Sequence, residues 1–185
     1  VSSTIEIKLT GKGGQGVVSA GEILADAAVL DGKEASAIAA YGSEARGGAV
    51  SSDVVIGDAE IPAPFVIKPT YVLAMSMEGY AAVSKLLAAD TKVVYDSTTI
   101  KDAPRDANHF PVPATEIASS VGNPVVINMV LLGAFAAIAA AVKRESIEAV
   151  VRQKMKPEAA ALNLKALEEG YAAGRGLLGN PPASK

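Results

Sequence analysis

Six residues near the start of the chain, Gly11-Lys12-Gly13-Gly14-Gln15-Gly16, follow a strand-like run from Ile5 to Thr10 and lead straight into an apolar helix. Glycines at such a junction leave backbone N–H groups bare at a helix N-terminus. The helix dipole favours negative charge there, so the turn can cradle a phosphate or a carboxylate. Tight packing alone also calls for glycines, and both uses stay open. On either account the loop should tolerate no bulky side chain, because its glycines adopt special backbone angles or close approaches. Gly11, Gly13 and Gly16 also satisfy the three-glycine dinucleotide spacing. That pattern further needs an acid at the end of the second strand, roughly 20 residues on, to hold a ribose hydroxyl. The second strand reads as Ala35 to Ala40 and ends in Ala39-Ala40-Tyr41, with Glu34 at its wrong end, which argues against an ordinary NAD site. An ATP-type phosphate loop fails as well, because Val17-Val18 stands where Lys and then Ser or Thr are required.

A second unusual segment is Tyr41-Gly42-Ser43-Glu44-Ala45-Arg46-Gly47-Gly48. Its glycines make a helix improbable, and it immediately precedes a strand. The plain reading is a surface turn with a local Glu44–Arg46 pair. The sharper one gives Arg46 a bidentate contact to a carboxylate or phosphate, with Ser43 and Glu44 beside it. In a parallel sheet this loop and residues 11 to 16 both leave the carboxyl ends of strands, the edge at which ligands bind. Asn128, one turn into a very apolar helix, needs partners if buried. It reads first as a structural hydrogen bond to a loop backbone and second as a ligand contact. The one histidine, His109, sits in a Pro-bearing stretch and reads as a solvated loop residue.

What the chain lacks is equally informative. It has no cysteine, so disulfides, thiolate-held zinc and cysteine-ligated iron–sulfur clusters cannot form within it. No serine nucleophile elbow, His–Asp arrangement or metal spacing is present, and Gly57-Asp58 is followed by Ala59 rather than by a thiamine-diphosphate signature. Catalytic and metal-binding residues are therefore expected to be none. A net charge of −3 with dispersed Lys and Arg argues against nucleic acid. The start of the sequence shows no basic and apolar signal region, so a cytoplasmic location is expected. Pro124 to Val142 is about as long as a membrane span requires, but it carries Asn128, is alanine-rich in its second half and stands alone. It reads as a buried helix.

These residues must be positioned by an alternation of strands and helices. After the glycine turn come a helix from Val17 to Leu30, the strand Ala35–Ala40 and a strand from Ala49 to Ile56 whose alternation leaves one face partly polar. Ile61-Pro62-Ala63-Pro64 cannot lie in a sheet centre. A strand from Tyr71 to Met75, a helix from Glu78 to Ala89 and a strand from Val93 to Tyr95 follow, with a short strand possible at His109 to Val112. The remainder is helical: Ala114–Val121, Pro124–Val142, Glu145–Met155 and Pro157 to about Ala173. Pro124 and Pro157 fit first-turn positions. Gly133 and Ala137 would let another helix approach closely, whereas Gly170, Gly174 and Gly176 should weaken the last helix. The expectation is an α/β chain: a mostly parallel, mixed, Rossmann-like sheet flanked by helices, with a helical C-terminal part. Residues 1–174 form a single domain and residues 175–185 a tail.

The two glycine segments, in this order and spacing, with Ile61-x-x-Pro64 and the late Asn128-Met129-Val130-Leu131-Leu132-Gly133 helix, resemble the gamma subunit of 2-oxoacid:ferredoxin oxidoreductases over roughly residues 4 to 173. Ser43, where such chains often carry Pro, and Thr70, where they often carry Asp, are mild departures. The resemblance implies a multisubunit enzyme that converts a 2-oxoacid and coenzyme A to acyl-CoA, carbon dioxide and two electrons. Thiamine diphosphate, magnesium and iron–sulfur clusters would belong to alpha, beta and ferredoxin-like partner subunits. The chain itself would pack on the thiamine-binding subunits and line the coenzyme A path, with Gly11, Gly13, Gly14, Gln15, Gly16, Ser43, Glu44, Arg46 and Asn128 as the candidate cofactor-facing residues. A free-standing nucleotide-binding domain and a purely structural assembly subunit are the alternatives.

Overall fold

The computed structural model describes residues 4–41 and 48–179. Ser43, Glu44 and Arg46 lie outside the described residues. Six strands, β1 (Thr4–Lys12), β2 (Glu34–Tyr41), β3 (Ala49–Gly57), β4 (Tyr71–Ala74), β5 (Lys92–Asp96) and β6 (His109–Val112), form one sheet in the order β2-β3-β1-β4-β5-β6. From β1 through β4 and β5 to β6 all pairings are parallel, and β3 is antiparallel to both β1 and β2. The sheet is thus mixed, as expected. Because β3 lies between them, β1 and β2 point the same way without touching. A ribose-holding acid at the end of β2 would be one strand too far away, a stronger objection to an NAD site than the missing acid itself.

The helices are α1 (Val17–Leu30), α2 (Met77–Val83), α3 (Ala114–Val121), α4 (Ile127–Ala139), α5 (Arg144–Lys154) and α6 (Pro157–Gly179). Side chains alternate across each strand. Ile7, Leu9, Val54, Ile56, Leu73 and Phe110 therefore meet α1, α4, α5 and α6 in the main core. Val72, Ala74, Val93 and Tyr95 turn to the other face and form a smaller cluster with Val83 of α2 and Ile100. Helix α4 is buried from Ile127 through Ala137, which suits a helix apolar all round. The expected single helix from Pro124 to Val142 is divided: a 3-10 turn (Pro124–Val126) precedes α4, which ends at Ala140 in the left-handed region, φ 48°. Just beyond that stop, the Ala141 carbonyl accepts from Lys33 Nζ at 3.0 Å. Among the described residues no helix is long and apolar enough to cross a membrane.

Glycine brings α4 and α6 together. A methyl group on Gly133 would strike the Leu167 carbonyl, one on Gly170 the Val130 carbonyl, and one on Gly174 would lie 2.6 Å from the Ala134 carbonyl oxygen. Gly170 and Gly174 therefore seat the last helix on the core instead of weakening it, and α6 continues to Gly179. Tyr71 meets Phe135 of α4 edge-on at 5.3 Å, and Arg144 stacks over Tyr171 at 5.2 Å, so α4 is tied to the sheet and α6 to α5.

On the other face of the β2-β3-β1 half, helical cover is limited to α2 at the end of β1. The chain between β3 and β4 crosses it as an irregular strap, held by one side chain from each strand. Ser36 Oγ of β2 donates to the Pro64 carbonyl at 3.0 Å, and Asp53 Oδ2 of β3 accepts from Val66 N at 3.1 Å. Glu6 Oε2 of β1 accepts from Ile67 N at 2.6 Å and Lys68 N at 2.8 Å. Beneath the strap, Lys8 and Asp53 pair at 2.5 Å.

Candidate functional site

The sequence from Gly11 to Gly16 closes a rigid turn between β1 and α1. Gly14 (φ 89°) and Gly16 (φ 72°) occupy the left-handed region that disfavours any Cβ. Gln15 spends its whole amide on backbone: Oε1 accepts from Lys12 N at 2.7 Å, and Nε2 donates to the Met75 carbonyl at 3.0 Å. It thereby ties the turn to the end of β4. Gly79 of α2 presses on Gly11, since a methyl there would lie 2.6 Å from Gly11 N, and Thr10 Oγ1 donates to the Gly79 carbonyl at 3.1 Å. Gly11 is confined in turn, with Gln15 Oε1 at 2.7 Å and Met75 Cβ at 3.0 Å from where its own Cβ would stand.

Asn128 supports the turn from α4. It is buried, its Nδ2 donates to the Gly16 carbonyl at 3.2 Å, and its Oδ1 accepts from Met129 N at 2.9 Å. This is the loop-backbone bond expected of it. A side chain on Gly16 would run into the Asn128 amide. Gly13 departs from the expectation of a uniformly restricted loop: its φ is not positive and nothing lies within 4 Å of where a Cβ would go. Within this chain, Gly13 faces open space.

That space is a cleft of about 350 Å³ lined by Gly13, Gly14, Gln15, Thr115, Pro124, Val125 and Ile127. Three helical segments begin on it, but only α1, behind Gly16, starts without a side-chain cap. Thr115 N at the start of α3 is bonded to Asp96 Oδ1, and in the turn that leads into α4 Pro124 has no N–H and Val125 N is bonded to Asn123 Oδ1. The uncapped start of α1 exposes N–H groups and the positive end of its dipole, which favours an anion there although no lining residue is charged. The cleft adjoins the carboxyl end of β1 beside β4, where the connections diverge to opposite sides, the usual ligand edge of an open α/β sheet. Tyr41 pairs with Val50, which pairs with Gly11, so the segment after Tyr41 also sets out from this edge.

Sequence reasoning overlooked Asp96, which fixes the cleft's far wall. Its carboxyl group is fully buried at the end of β5. Oδ1 accepts from Thr98 N and Thr115 N at 3.1 Å, and Oδ2 accepts from Thr99 Oγ1 at 2.9 Å and Thr115 Oγ1 at 2.7 Å. An Asp closing a strand before Ser97-Thr98-Thr99 is the signature of an Asx turn and was the signal available. Lys12, the one cation in the glycine turn, pairs with Glu78 at 2.8 Å and holds that carboxyl at about 2, well below its ordinary value.

His109 is not a solvated loop residue. It starts β6 at the opposite edge of the sheet, 8% exposed, with Nδ1 against Asp106 Oδ1 at 2.8 Å, and that contact lowers the Asp106 pKa. Burial raises the Tyr95 pKa beside it. Among the described residues no group of three or more His, Asp or Glu side chains could hold a metal ion, and a cysteine-ligated cluster finds no ligand in the sequence.

Comparison with known proteins extends these observations. Residues 6–173 match the family described as pyruvate ferredoxin/flavodoxin oxidoreductase. The 2-oxoglutarate synthase subunit KorC of Methanocaldococcus jannaschii is 39% identical over 171 residues, 90% of this chain and 91% of that protein. The keto/oxoacid ferredoxin oxidoreductase gamma subunit of Geobacter sulfurreducens shares the fold with a TM-score of 0.82 at 31% identity, covering 93% of this chain and 97% of that one. A longer chain, the 2-oxoglutarate:ferredoxin oxidoreductase of Magnetococcus marinus solved with 2-oxoglutarate, coenzyme A and succinyl-CoA, shows the same fold. Its TM-score is 0.85 at 23% identity, with 98% of this chain covering 32% of that one. With the glycine turn, the sheet order and a match spanning nearly its full length, this chain belongs to the pyruvate ferredoxin/flavodoxin oxidoreductase family.

Proposed function

We propose that the chain is the gamma subunit of a multisubunit, cytoplasmic 2-oxoacid oxidoreductase, packs on the thiamine-binding subunits, and lines the coenzyme A path with its glycine-turn cleft. The complex would convert a 2-oxoacid and coenzyme A to acyl-CoA, carbon dioxide, a proton and two electrons passed to ferredoxin or a related acceptor. Thiamine diphosphate, magnesium and iron–sulfur clusters would reside on the alpha, beta and ferredoxin-like partners; in support, the sequence has no cysteine, and among the described residues no acidic or histidine cluster could hold a metal ion. The observation that carries the coenzyme A reading is the uncapped, glycine-shaped start of α1 on one open cleft with no charged lining residue. Such a wall suits phosphate oxygens, which need N–H donors and positive potential more than apolar packing.

The roles within the chain divide by geometry. Gln15 and Asn128 hold the turn, Gly14 and Gly16 give it its shape, and Gly13 leaves room for what enters. Arg46, with Ser43 and Glu44, would reach the same edge from the segment after Tyr41 and engage an anion through its planar fork.

Gly13→Val tests the reading in the complex assembled with its native partners. The chain's own fold has space for that side chain. The isolated subunit should therefore melt as wild type, while the Michaelis constant for coenzyme A in the complex rises about tenfold or more, equivalent to about 1.4 kcal/mol. Arg46→Lys should impair turnover nearly as much as Arg46→Ala. Unchanged coenzyme A kinetics in all three variants would end the cofactor-path reading, and loss of assembly with Gly13→Val would assign the turn to a subunit contact instead.

A further inference from the structure

We infer that the strap-covered face of the sheet is the seat of a sister subunit, and that the surface docking there is apolar with a basic rim. Helices cover the main-core face, and on the other face α2 packs on the end of β1, but the rest of β2, β3 and β1 there is roofed by the segment that Ser36, Asp53 and Glu6 hold down. An antiparallel sheet can leave one face to water, yet such a face normally presents polar side chains. Here the sheet's own polar side chains, Glu6, Lys8, Ser36 and Asp53, are bonded to the strap or to each other, and β2 and the strap present large apolar ones: Ile38 is 41%, Phe65 51% and Ile67 66% exposed. Grouped apolar exposure of this kind marks an interaction site.

The charges nearby say what kind of surface fits. Lys8 under the strap is neutralised by Asp53, and Lys68 by Asp90. Glu34 pairs opposite Gly57, so Glu34, Asp58 and Glu60 gather at one end of the patch. All three are exposed, and none joins an ion pair among the described residues. Among the described residues, a second copy of this surface would bring apolar area but no free cation to meet these acids. A sister subunit with Lys or Arg beside an apolar patch meets both demands, and opposite charge across a rim speeds and orients docking. The inference rests on the proposal that the chain works as a subunit of the oxidoreductase.

The test uses the complex with its native partners. Phe65→Asp combined with Ile67→Asp, and separately Ile38→Lys, should raise the dissociation constant of this subunit at least about tenfold, as truncating buried interface anchors does. Both side-chain sets are exposed, so circular dichroism melting of the isolated chain should stay within a few degrees of wild type. Replacing Glu34, Asp58 and Glu60 by Lys should weaken binding and reverse its salt dependence, so that added salt strengthens it. Wild-type affinity for the patch variants would overturn the inference, as would variants that only convert a self-associated isolated chain to monomers. Failure of the wild-type chain to bind any thiamine-binding subunit would instead strike the subunit reading itself, and this inference with it.

Discussion

Asp96 gathers four hydrogen bonds on one buried carboxyl group and so joins the end of β5, the turn after it and the start of α3. Replacing it by Ala would leave the Thr98 and Thr115 amides and two threonine hydroxyls seeking partners, and unmet buried donors cost about 1–3 kcal/mol each. Asp96→Ala should therefore lower unfolding free energy by at least about 2 kcal/mol in urea titrations, and a smaller loss would mean that water replaces the carboxyl group. Thr115 lines the cleft, so the same change should loosen its wall. At this scale the sequence was readable where chemistry is local. Gly14, Gly16 and the Asn128 bond to a loop backbone followed from residue type and neighbours. Gly13 and His109 did not, because the space around Gly13 and the burial of His109 depend on segments far along the chain.

Helices α4 and α6 approach closely because three glycines meet backbone across their interface. Gly→Ala in a helix ordinarily adds up to about 1 kcal/mol through propensity. At Gly170 the added methyl would meet the Val130 carbonyl, and overpacking costs about 1–3 kcal/mol. Gly170→Ala should therefore destabilise, while Gly176→Ala, with nothing within 4 Å of its Cβ, should stabilise by about 0.5–1 kcal/mol. Equal melting shifts for the pair would refute the packing account. The bounds of most elements were legible because period and capping residues are local signals. Strand order was not: that β3 separates β1 from β2 depends on pairings such as Ile7 with Val54, which no window of sequence contains.

Over the whole molecule, helices burden one face while α2 and the strap share the other, and the cleft lies along one edge. A chain built this way is completed by neighbours. Alone it should show no 2-oxoacid-dependent viologen reduction and should self-associate in size-exclusion chromatography; a stable monomer with full turnover would contradict the subunit reading. The central place of β1 has a bearing on synthesis. β1 precedes the other five strands of the sheet along the chain yet sits in its middle, and its two neighbours, β3 and β4, end at Gly57 and Ala74. Until those residues leave the ribosome, β1 has two bare edges and an apolar face of Ile5, Ile7 and Leu9, with only α1 able to shield it. Non-local pairing of this kind is slow to form and exposed to aggregation meanwhile. Nascent chains stalled before Gly57 are thus the form of this polypeptide most in need of a chaperone.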